Sequence, residues 1–203
     1  MRRTAKDSAK TREKILDVSL KVFGQKGFGQ TKLSDIAKEA EITRGAIYHH
    51  FNSKSELFSA LFEKYHEKRM QVIRPLALSE DATLNKIKRG IKEFFYLLEN
   101  DQSMVEFQKI QFLKQEIHCS NNEESIVKDH VDVYLDILIS NIKEGKKCGE
   151  IRPDVDAEEF VFFLSSFIYG IINHWLFFNQ SFVLSELGYN YIESFVDLHL
   201  KNK

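Results

Sequence analysis

The sequence of 203 residues has little of what tight turns or disulfide bridges require. It contains nine glycines and two prolines, roughly half the usual share, and so few turn formers disfavour a β-sandwich or barrel and favour long helices. The two cysteines, Cys119 and Cys148, exclude a disulfide framework and a CxxC zinc site. The charged first ten residues have no apolar run behind them, so we expect no secretory signal and a reducing, cytoplasmic location.

Sequence motifs for catalysis are missing too. The chain has no GxSxG, Walker or GxGxxG motif, and its seven histidines include no HExxH pair. His118 and Cys119 form only a lone dipeptide, which offers too few ligands for a metal. We therefore expect a protein that is not an enzyme and that holds no metal or other cofactor. An oxidant-sensing role for the two cysteines stays open beside their ordinary state as reduced thiols.

Charge is distributed unevenly along the chain. Residues 1–55 hold 12 Lys and Arg against 6 Asp and Glu, whereas residues 56–203 hold 17 against 24. A basic head on an acidic body is typical of a nucleic-acid-binding domain joined to a domain with another role. The alternative is a solvated basic helix without a partner. We predict two domains, 1–55 and 56–203, and 14 of the 17 phenylalanines lie in the second.

Apolar residues recur at helical spacing through most of the chain, and no segment has the pattern of a strand. The predicted fold is all-α with about nine helices. Their expected ranges are 9–25, 32–40, 44–51, 54–73, 84–98, 104–117, 127–142, 157–179 and 182–200. We expect Gly27 and Gly29 to close the first helix, Pro75 to stop the fourth and Asp156 to cap the eighth.

Residues 31–54, TKLSDIAKEAEITRGAIYHHFNSK, carry the strongest local pattern. Two short helices, capped by Thr31 and Thr43 and separated by Glu41 and Ile42, have the dimensions of a helix-turn-helix. The outward positions of the second helix carry hydrogen-bonding or short side chains and no carboxylate: Thr43, Arg44, Gly45, Ala46, Tyr48 and His49. Such a face suits the major groove of DNA. A structural three-helix bundle with a polar face is the alternative.

The segment TKLSDIAKEAEITRGAIYHHFNSKSELF resembles the DNA-binding signature of TetR-family transcriptional repressors, and the resemblance extends over residues 11–60. The C-terminal segment FIYGIINHWLFFNQSFVLSELGYNYIESFVDLHL is similar to the end of AcrR-type multidrug-efflux repressors. The resemblance implies a cytoplasmic, homodimeric repressor that binds a pseudo-palindromic operator. A small hydrophobic or aromatic compound would release it, and an efflux transporter gene would be its target.

The resemblance also implies which residues meet DNA. They are Thr31, Lys32, Thr43, Arg44, Ala46, Tyr48, His49 and Lys54, with a loose basic arm formed by Arg2, Arg3 and Lys6. Arg44 and His49 would contact bases, whereas Thr31, Tyr48 and Lys54 would hold phosphates. Two features depart from the family pattern. Glu41 stands where the turn usually has Gly, and Asn179 and Val183 replace a Pro and an Asp of the efflux repressors.

Residues 160–185 contain no Asp, Glu, Lys or Arg. This stretch is long enough to cross a membrane, but its flanks are acidic and offer no Lys or Arg to orient an insertion. A helix that is apolar all round also forms where both sides are buried. In the family, the last two helices pair with their copies in a dimer, so we expect a homodimer seam and no membrane partner. A helix in the core of a monomer is the remaining alternative.

Aromatic residues of the body are candidates for a ligand pocket. Most will be core, but in TetR-like proteins the middle helices enclose a cavity, and an aromatic lining suits a bulky hydrophobic or cationic aromatic compound. The candidates are Phe62, His66, Phe95, Phe107, Phe112, Tyr134, Phe163 and Phe167, with Phe62, His66 and Phe112 first. The fourth helix would link this pocket to Lys54. A small-ligand carrier with a non-functional DNA-binding head is the alternative function.

Overall fold

The computed structural model describes the backbone of residues 5–114 and 121–202 and the side chains of residues 6–111 and 133–202. Within these residues the chain forms nine α-helices and no β-strand, so the all-α prediction is confirmed. The helices are α1 Ala5–Gln30, α2 Leu33–Glu39, α3 Arg44–Tyr48, α4 Lys54–Ala77, α5 Thr83–Asn100, α6 Gln102–Lys114, α7 Asn121–Lys147, α8 Ala157–Phe177 and α9 Tyr189–Leu200. A turn of π-helix, Leu184–Gly188, leads into α9.

The helices group into two compact units. The N-terminal unit comprises Met1–His66 and Gln102–Lys128, and the C-terminal unit comprises Glu67–Asp101 and Asp129–Lys203. α6 belongs to the N-terminal unit because it packs against α1. The units are therefore drawn differently from the predicted functional division at residue 55, and α4 contributes residues to both of them.

Aromatic side chains form the centre of the N-terminal unit. The ring centroids of Phe23 and Phe28 lie 5.5 Å apart, and both rings contact Phe58 edge-on. Phe58 continues to Phe62 at 6.4 Å, and Phe62 meets Phe107 of α6 at 5.2 Å. We call Phe23, Phe28, Phe58, Phe62 and Phe107 the aromatic cluster. Edge-to-face contacts of this kind add about 0.5–1.5 kcal/mol per pair to the burial of apolar area.

Two predicted helix ends differ in the structure. α1 continues to Gln30, although Gly27 breaks its helical conformation with φ 74° and ψ 158°, as expected of a glycine near a helix end. α4 does not stop at Pro75 but runs to Ala77. Proline lacks only its own N–H, and the amide of Leu78 still donates to the carbonyl of Arg74 at 3.1 Å. A proline in the last turn therefore removes too little to end the helix early.

A pair of charges and a close approach hold the C-terminal unit together. Lys88 of α5 lies 2.6 Å from Asp197 and 3.6 Å from Glu193, both of α9. Gly188 lets the π-helical turn approach its neighbours, since a Cβ there would lie 2.9 Å from Leu184 Cδ1. Asp156 caps α8 as predicted, because its side chain accepts hydrogen bonds from two backbone amides of the first turn.

Backbone conformation explains the two departures from the family pattern that lie in turns. Glu41, between α2 and α3, has φ 52°, and Asn179 and Gln180, after α8, have φ 50° and 59°. These values lie in the left-handed region that favours glycine and tolerates asparagine. The turn after α2 therefore requires the conformation that glycine adopts most easily, although the chain places Glu41 there.

We expect Glu41→Gly to stabilise the protein by about 0.5–1 kcal/mol, because the relief of left-handed strain exceeds the entropy that glycine loses on folding. Urea denaturation of the wild type and the variant measures the difference. Glu63→Gly is the matched control: Glu63 is exposed in the middle of α4, where glycine lowers helix stability by about 1 kcal/mol. Equal losses in both variants would contradict the strain at Glu41.

Candidate functional site

The side chains of α3 form an exposed polar surface. Thr43 caps this helix as predicted, with its hydroxyl accepting from the Ala46 amide at 3.2 Å. Ile47 is fully buried and anchors the inner side. We define the reading surface as Thr43, Arg44, Ala46, Tyr48 and His49; all are exposed except the half-buried Ala46. None carries a negative charge.

Arg44 is positioned on this surface by Tyr48. Its guanidinium carbon lies 5.6 Å from the centroid of the Tyr48 ring, within the range of a cation–π contact. The Tyr48 side chain is itself 43% exposed. The pair therefore presents five guanidinium N–H donors on a supported side chain, the geometry that recognises base edges or phosphates.

The start of α2 is built differently from the prediction. Lys32, not Thr31, is the N-cap residue, and its backbone N–H donates to Asp35 Oδ2 at 3.2 Å. This hydrogen bond, together with Lys26 nearby, lowers the pKa of Asp35. Thr31 is 1% exposed, and its hydroxyl donates to the Gly27 carbonyl at 2.7 Å. The expectation that Thr31 caps α2 is therefore wrong, and its buried hydroxyl is not presented to a phosphate.

Lys54 joins the start of α4 to the end of α1. Its Nζ donates to the carbonyl oxygens of Phe28 at 2.6 Å and Gly29 at 3.3 Å. The same atom lies 4.3 Å from the centroid of the Phe28 ring. We call these contacts the Lys54 clamp. An ammonium group has three donors, so the clamp leaves one N–H for another acceptor. Sequence reasoning assigned Lys54 to phosphate and missed this internal role, which joins residues far apart in the chain.

The candidates for ligand contact in the N-terminal unit are tightly packed. Phe62 and Phe107, in the aromatic cluster, are 2% and 4% exposed, and Phe107 also stacks on Tyr65 at 4.7 Å. His66 follows Phe62 by one helical turn and is 9% exposed. The side chain of Phe112 lies outside the described residues. In this conformation Phe62 and Phe107 fill the core with ring contacts, so their ligand role stays a prediction.

The candidates in the C-terminal unit fall in three places. Phe95 is fully buried beside Gly188, whereas Phe163 and Phe167 are 54% and 38% exposed on the outer side of α8. Phe167 packs on Phe195 of α9 at 5.4 Å. Phe163 and Phe167 therefore belong to an exposed face of this unit and do not line an enclosed pocket with Phe95. Tyr134 is the candidate that borders a cavity.

This cavity is a narrow cleft between the last turns of α4, the first half of α5 and the middle of α7. The residues that line it are Ile73, Leu76, Ala77, Lys86, Ile87, Gly90, Ile91, Tyr134, Ile137, Leu138 and Asn141, and the space between their atoms is about 280 Å³. We call it the α5 cleft. Sequence periodicity identified its isoleucines and leucines as core but could not show that they leave space.

Arg69 lies beyond one end of the α5 cleft. Its guanidinium carbon is 4.9 Å from the Tyr134 ring centroid and 5.6 Å from that of Phe94. Burial lowers the pKa of Arg69, and burial also raises the pKa of Tyr134. At neutral pH the guanidinium stays charged and the phenol stays neutral, so the stacked pair carries one positive charge.

Apolar side chains are exposed along α8 and α9. They include Phe162, Phe163, Phe167 and Phe177 of α8 and Leu187, Tyr191 and Leu198 before or within α9; we call them the apolar face. α8 is the one helix of the described residues that is long and apolar enough to cross a membrane, judged by length and composition alone. Its other side carries Leu164 and Trp175, which are 0% and 2% exposed. It is therefore a core helix with one uncovered side, not a membrane span.

Comparison with known proteins identifies relatives over the whole length. Residues 15–61 match the bacterial regulatory proteins of the tetR family, and residues 83–201 match the C-terminal region of MAATS-type transcriptional repressors. The chain is 27% identical to the HTH-type transcriptional regulator AcrR of Shigella flexneri, over 98% of this chain and 94% of that protein. It is 31% identical to the HTH-type transcriptional regulator TtgR of Pseudomonas putida, over 87% and 85%.

Solved structures share the fold. FadR of Bacillus subtilis in complex with stearoyl-CoA matches with a TM-score of 0.77 and 23% identity, over 91% of this chain and 96% of that chain. SmeT in complex with triclosan matches with a TM-score of 0.79 and 22% identity, over 95% and 92%. SmeT is the repressor of the multidrug efflux pump SmeDEF of Stenotrophomonas maltophilia.

We expect Lys54→Met to destabilise the protein by about 1–2 kcal/mol, because the Phe28 and Gly29 carbonyls lose a charged donor while the apolar stem is kept. Chemical denaturation measures the loss. Lys32→Met is the control, since the Lys32 side chain is exposed and the hydrogen bond to Asp35 uses its backbone N–H. Equal stability of Lys54→Met and Lys32→Met would show that the clamp contributes nothing to folding.

Proposed function

Because the chain belongs to the tetR family of bacterial regulatory proteins, we propose that it is a cytoplasmic transcriptional repressor and not an enzyme. It binds a pseudo-palindromic operator as a homodimer and releases it when a small hydrophobic or aromatic compound binds the C-terminal unit. The observation that carries the proposal is the reading surface: an exposed helix face with a supported Arg44 and no carboxylate, in a basic part of the chain.

DNA binding follows from the chemistry of the reading surface. Arg44 and His49 are the proposed contacts to base edges, since guanidinium and imidazole groups donate to the acceptors of the major groove. Tyr48, Lys32 and the free N–H of Lys54 are the proposed phosphate contacts, which position the helix without reading sequence. Thr43 and Ala46 allow close approach because their side chains are short.

Dimer formation follows from the apolar face. Isolated apolar side chains on a surface are ordinary, but a continuous stripe of them marks an interface. Tyr191 and Leu198 are 62% and 74% exposed on α9, seven residues apart and therefore on one side of the helix. We propose that a second copy covers this stripe and α8 through a two-fold axis. Two reading surfaces then face two half-sites of one operator.

The ligand and the target gene are proposed from relatives. The FadR and SmeT complexes hold stearoyl-CoA and triclosan, so this fold accommodates apolar ligands of more than one shape. The likeness to AcrR and TtgR supports an efflux transporter gene as the target. Binding energy would come mainly from apolar contact, so calorimetry should report a negative heat-capacity change.

α4 is the proposed link between ligand and DNA. It starts with the Lys54 clamp and ends with Ile73, Leu76 and Ala77 in the wall of the α5 cleft. A ligand that displaces the end of this helix changes the position of its start, because a continuous helix moves as a stiff rod. A coupling free energy of about 1–3 kcal/mol would change operator affinity about 5- to 150-fold.

We expect Arg44→Ala to weaken operator binding by about 1–3 kcal/mol per half-site and to relax sequence preference at the contacted base. Lys54→Ala should weaken binding to all sequences alike and reduce the salt slope by about 0.9 per lost phosphate contact. Gel shifts with the DNA upstream of the protein's own gene, at several salt concentrations, measure both. Arg74→Ala is the control, because Arg74 is exposed and pairs with Glu67 in the C-terminal unit. If Arg44→Ala binds operator as tightly as the control, the reading surface is misassigned.

We expect Leu198→Glu and Tyr191→Glu to yield monomers, because each places an unpaired charge in an apolar seam, at a cost of several kcal/mol. Both residues are exposed in the single chain, so the fold of each subunit should survive. Sedimentation at micromolar concentration measures the mass. Leu78→Glu makes the same change at a leucine that is 84% exposed outside the apolar face, and it should stay dimeric. A monomeric wild type would overturn the dimer.

A further inference from the structure

Gly90 leaves space in the α5 cleft that any other residue would fill. It lies inside α5, where glycine is less stable than alanine by about 0.5–1 kcal/mol. A Cβ at Gly90 would meet nothing within 4 Å, whereas one at Gly145 would lie 2.7 Å from Ile151 Cδ1. Close packing therefore accounts for Gly145 and not for Gly90. What the missing side chain of Gly90 provides is open room in the wall of the cleft.

The shape and lining of the α5 cleft suit a flexible aliphatic chain. Apart from Tyr134, its apolar walls consist of aliphatic side chains: Ile73, Leu76, Ala77, Ile87, Ile91, Ile137 and Leu138. Along α7 the lining extends from Tyr134 to Asn141, a length of about 10 Å at the helical rise per residue. Walls of this kind offer few ring faces on which a flat aromatic compound could stack, but they surround a single chain of methylene groups well.

Lys86 gives the cleft a positive charge that nothing in the described residues balances. α5 carries four cations, and Lys88 pairs with Asp197 while Arg89 pairs with Asp81. Lys92 lies over the Tyr189 ring, outside the cleft. Lys86 lines the cleft, and within the described part of the chain it forms no ion pair. No carboxylate is among the lining residues, so an anion meets attraction and no repulsion.

We propose that the α5 cleft binds an amphiphile with one aliphatic chain and an anionic head group, such as a medium-chain carboxylate. The chain lies along Gly90 between the isoleucine and leucine walls, and the head group pairs with Lys86, which is half-buried. Partial burial makes such a charge pair stronger than an exposed one. The inference rests on the proposed function only in making this amphiphile the inducer, and it favours anionic over cationic compounds.

Three probes with the same chain test the proposal: decanoate, decanol and decyltrimethylammonium, each titrated calorimetrically into the full-length protein. We expect decanoate to bind about tenfold more tightly than decanol, the ratio that corresponds to one charge-assisted contact, and the cationic probe to bind most weakly. Lys86→Gln should remove the preference for decanoate, and Lys92→Gln, on the same helix, should keep it. Equal binding of the anionic and cationic probes to the wild type would overturn the head-group assignment.

Gly90→Leu tests the position of the chain. Leucine fills the open room, so decanoate and decanol should both lose at least tenfold in affinity, whereas Gly90→Ala should raise the melting temperature and lower affinity less. Ala77→Leu, from the α4 wall, should also block binding and serves if Gly90→Leu does not fold. Unchanged decanoate affinity in the variants that fold would overturn the cleft as the site.

Operator gel shifts with the same probes separate this inference from the proposed function. Release of the operator by decanoate, lost in Gly90→Leu, supports both. Decanoate that binds through Gly90 and Lys86 without releasing the operator would contradict the proposed ligand response and leave the site standing. Release by a triclosan-like compound with no binding of decanoate would contradict the inference alone.

Discussion

The Lys54 clamp is the contact on which the reading surface depends. The segment that contains α2 and α3 begins just after Gly29 and ends just before Lys54, and the ammonium group joins these two ends directly. Closing a loop of this length reduces the freedom of everything inside it. The buried side chains of Ile36 and Ile47 then set the orientation of the two short helices. Neither α2 nor α3 is long enough to be stable alone, so their geometry comes from these tertiary contacts.

α4 carries that constraint to the other end of the chain's architecture. Its first residue forms the clamp, and its last turns form one wall of the α5 cleft. The helix passes Pro75 without ending, so no flexible break separates the two. A repressor needs its ligand to change a distance between DNA-contacting groups, and an unbroken helix that is shared by both units is a simple means to that end. The proposed coupling therefore requires only that the cleft wall move.

Local sequence signals were sufficient for the helices and for the caps at Thr43 and Asp156, because periodicity and capping act within a few residues. They failed where distant residues decide the outcome. Thr31 turns inward to Gly27, and Lys54 is held by Phe28 and Gly29. Phe62 and Phe107 pack against each other, which no spacing along the chain reveals. The α5 cleft escaped notice because its main feature is a side chain that Gly90 does not have.

The turn after α8 indicates how far likeness to efflux repressors extends. Asn179 has φ 50°, and proline, whose ring holds φ near −65°, cannot adopt this conformation. The chain therefore forms this turn in a way that the Pro-containing relatives do not share, within the same overall fold. A fold carries many functions, and specificity lies in the residues of each site. The chemistry of Lys86 and Gly90 is thus a better guide to the ligand of this protein than the compounds that its relatives bind.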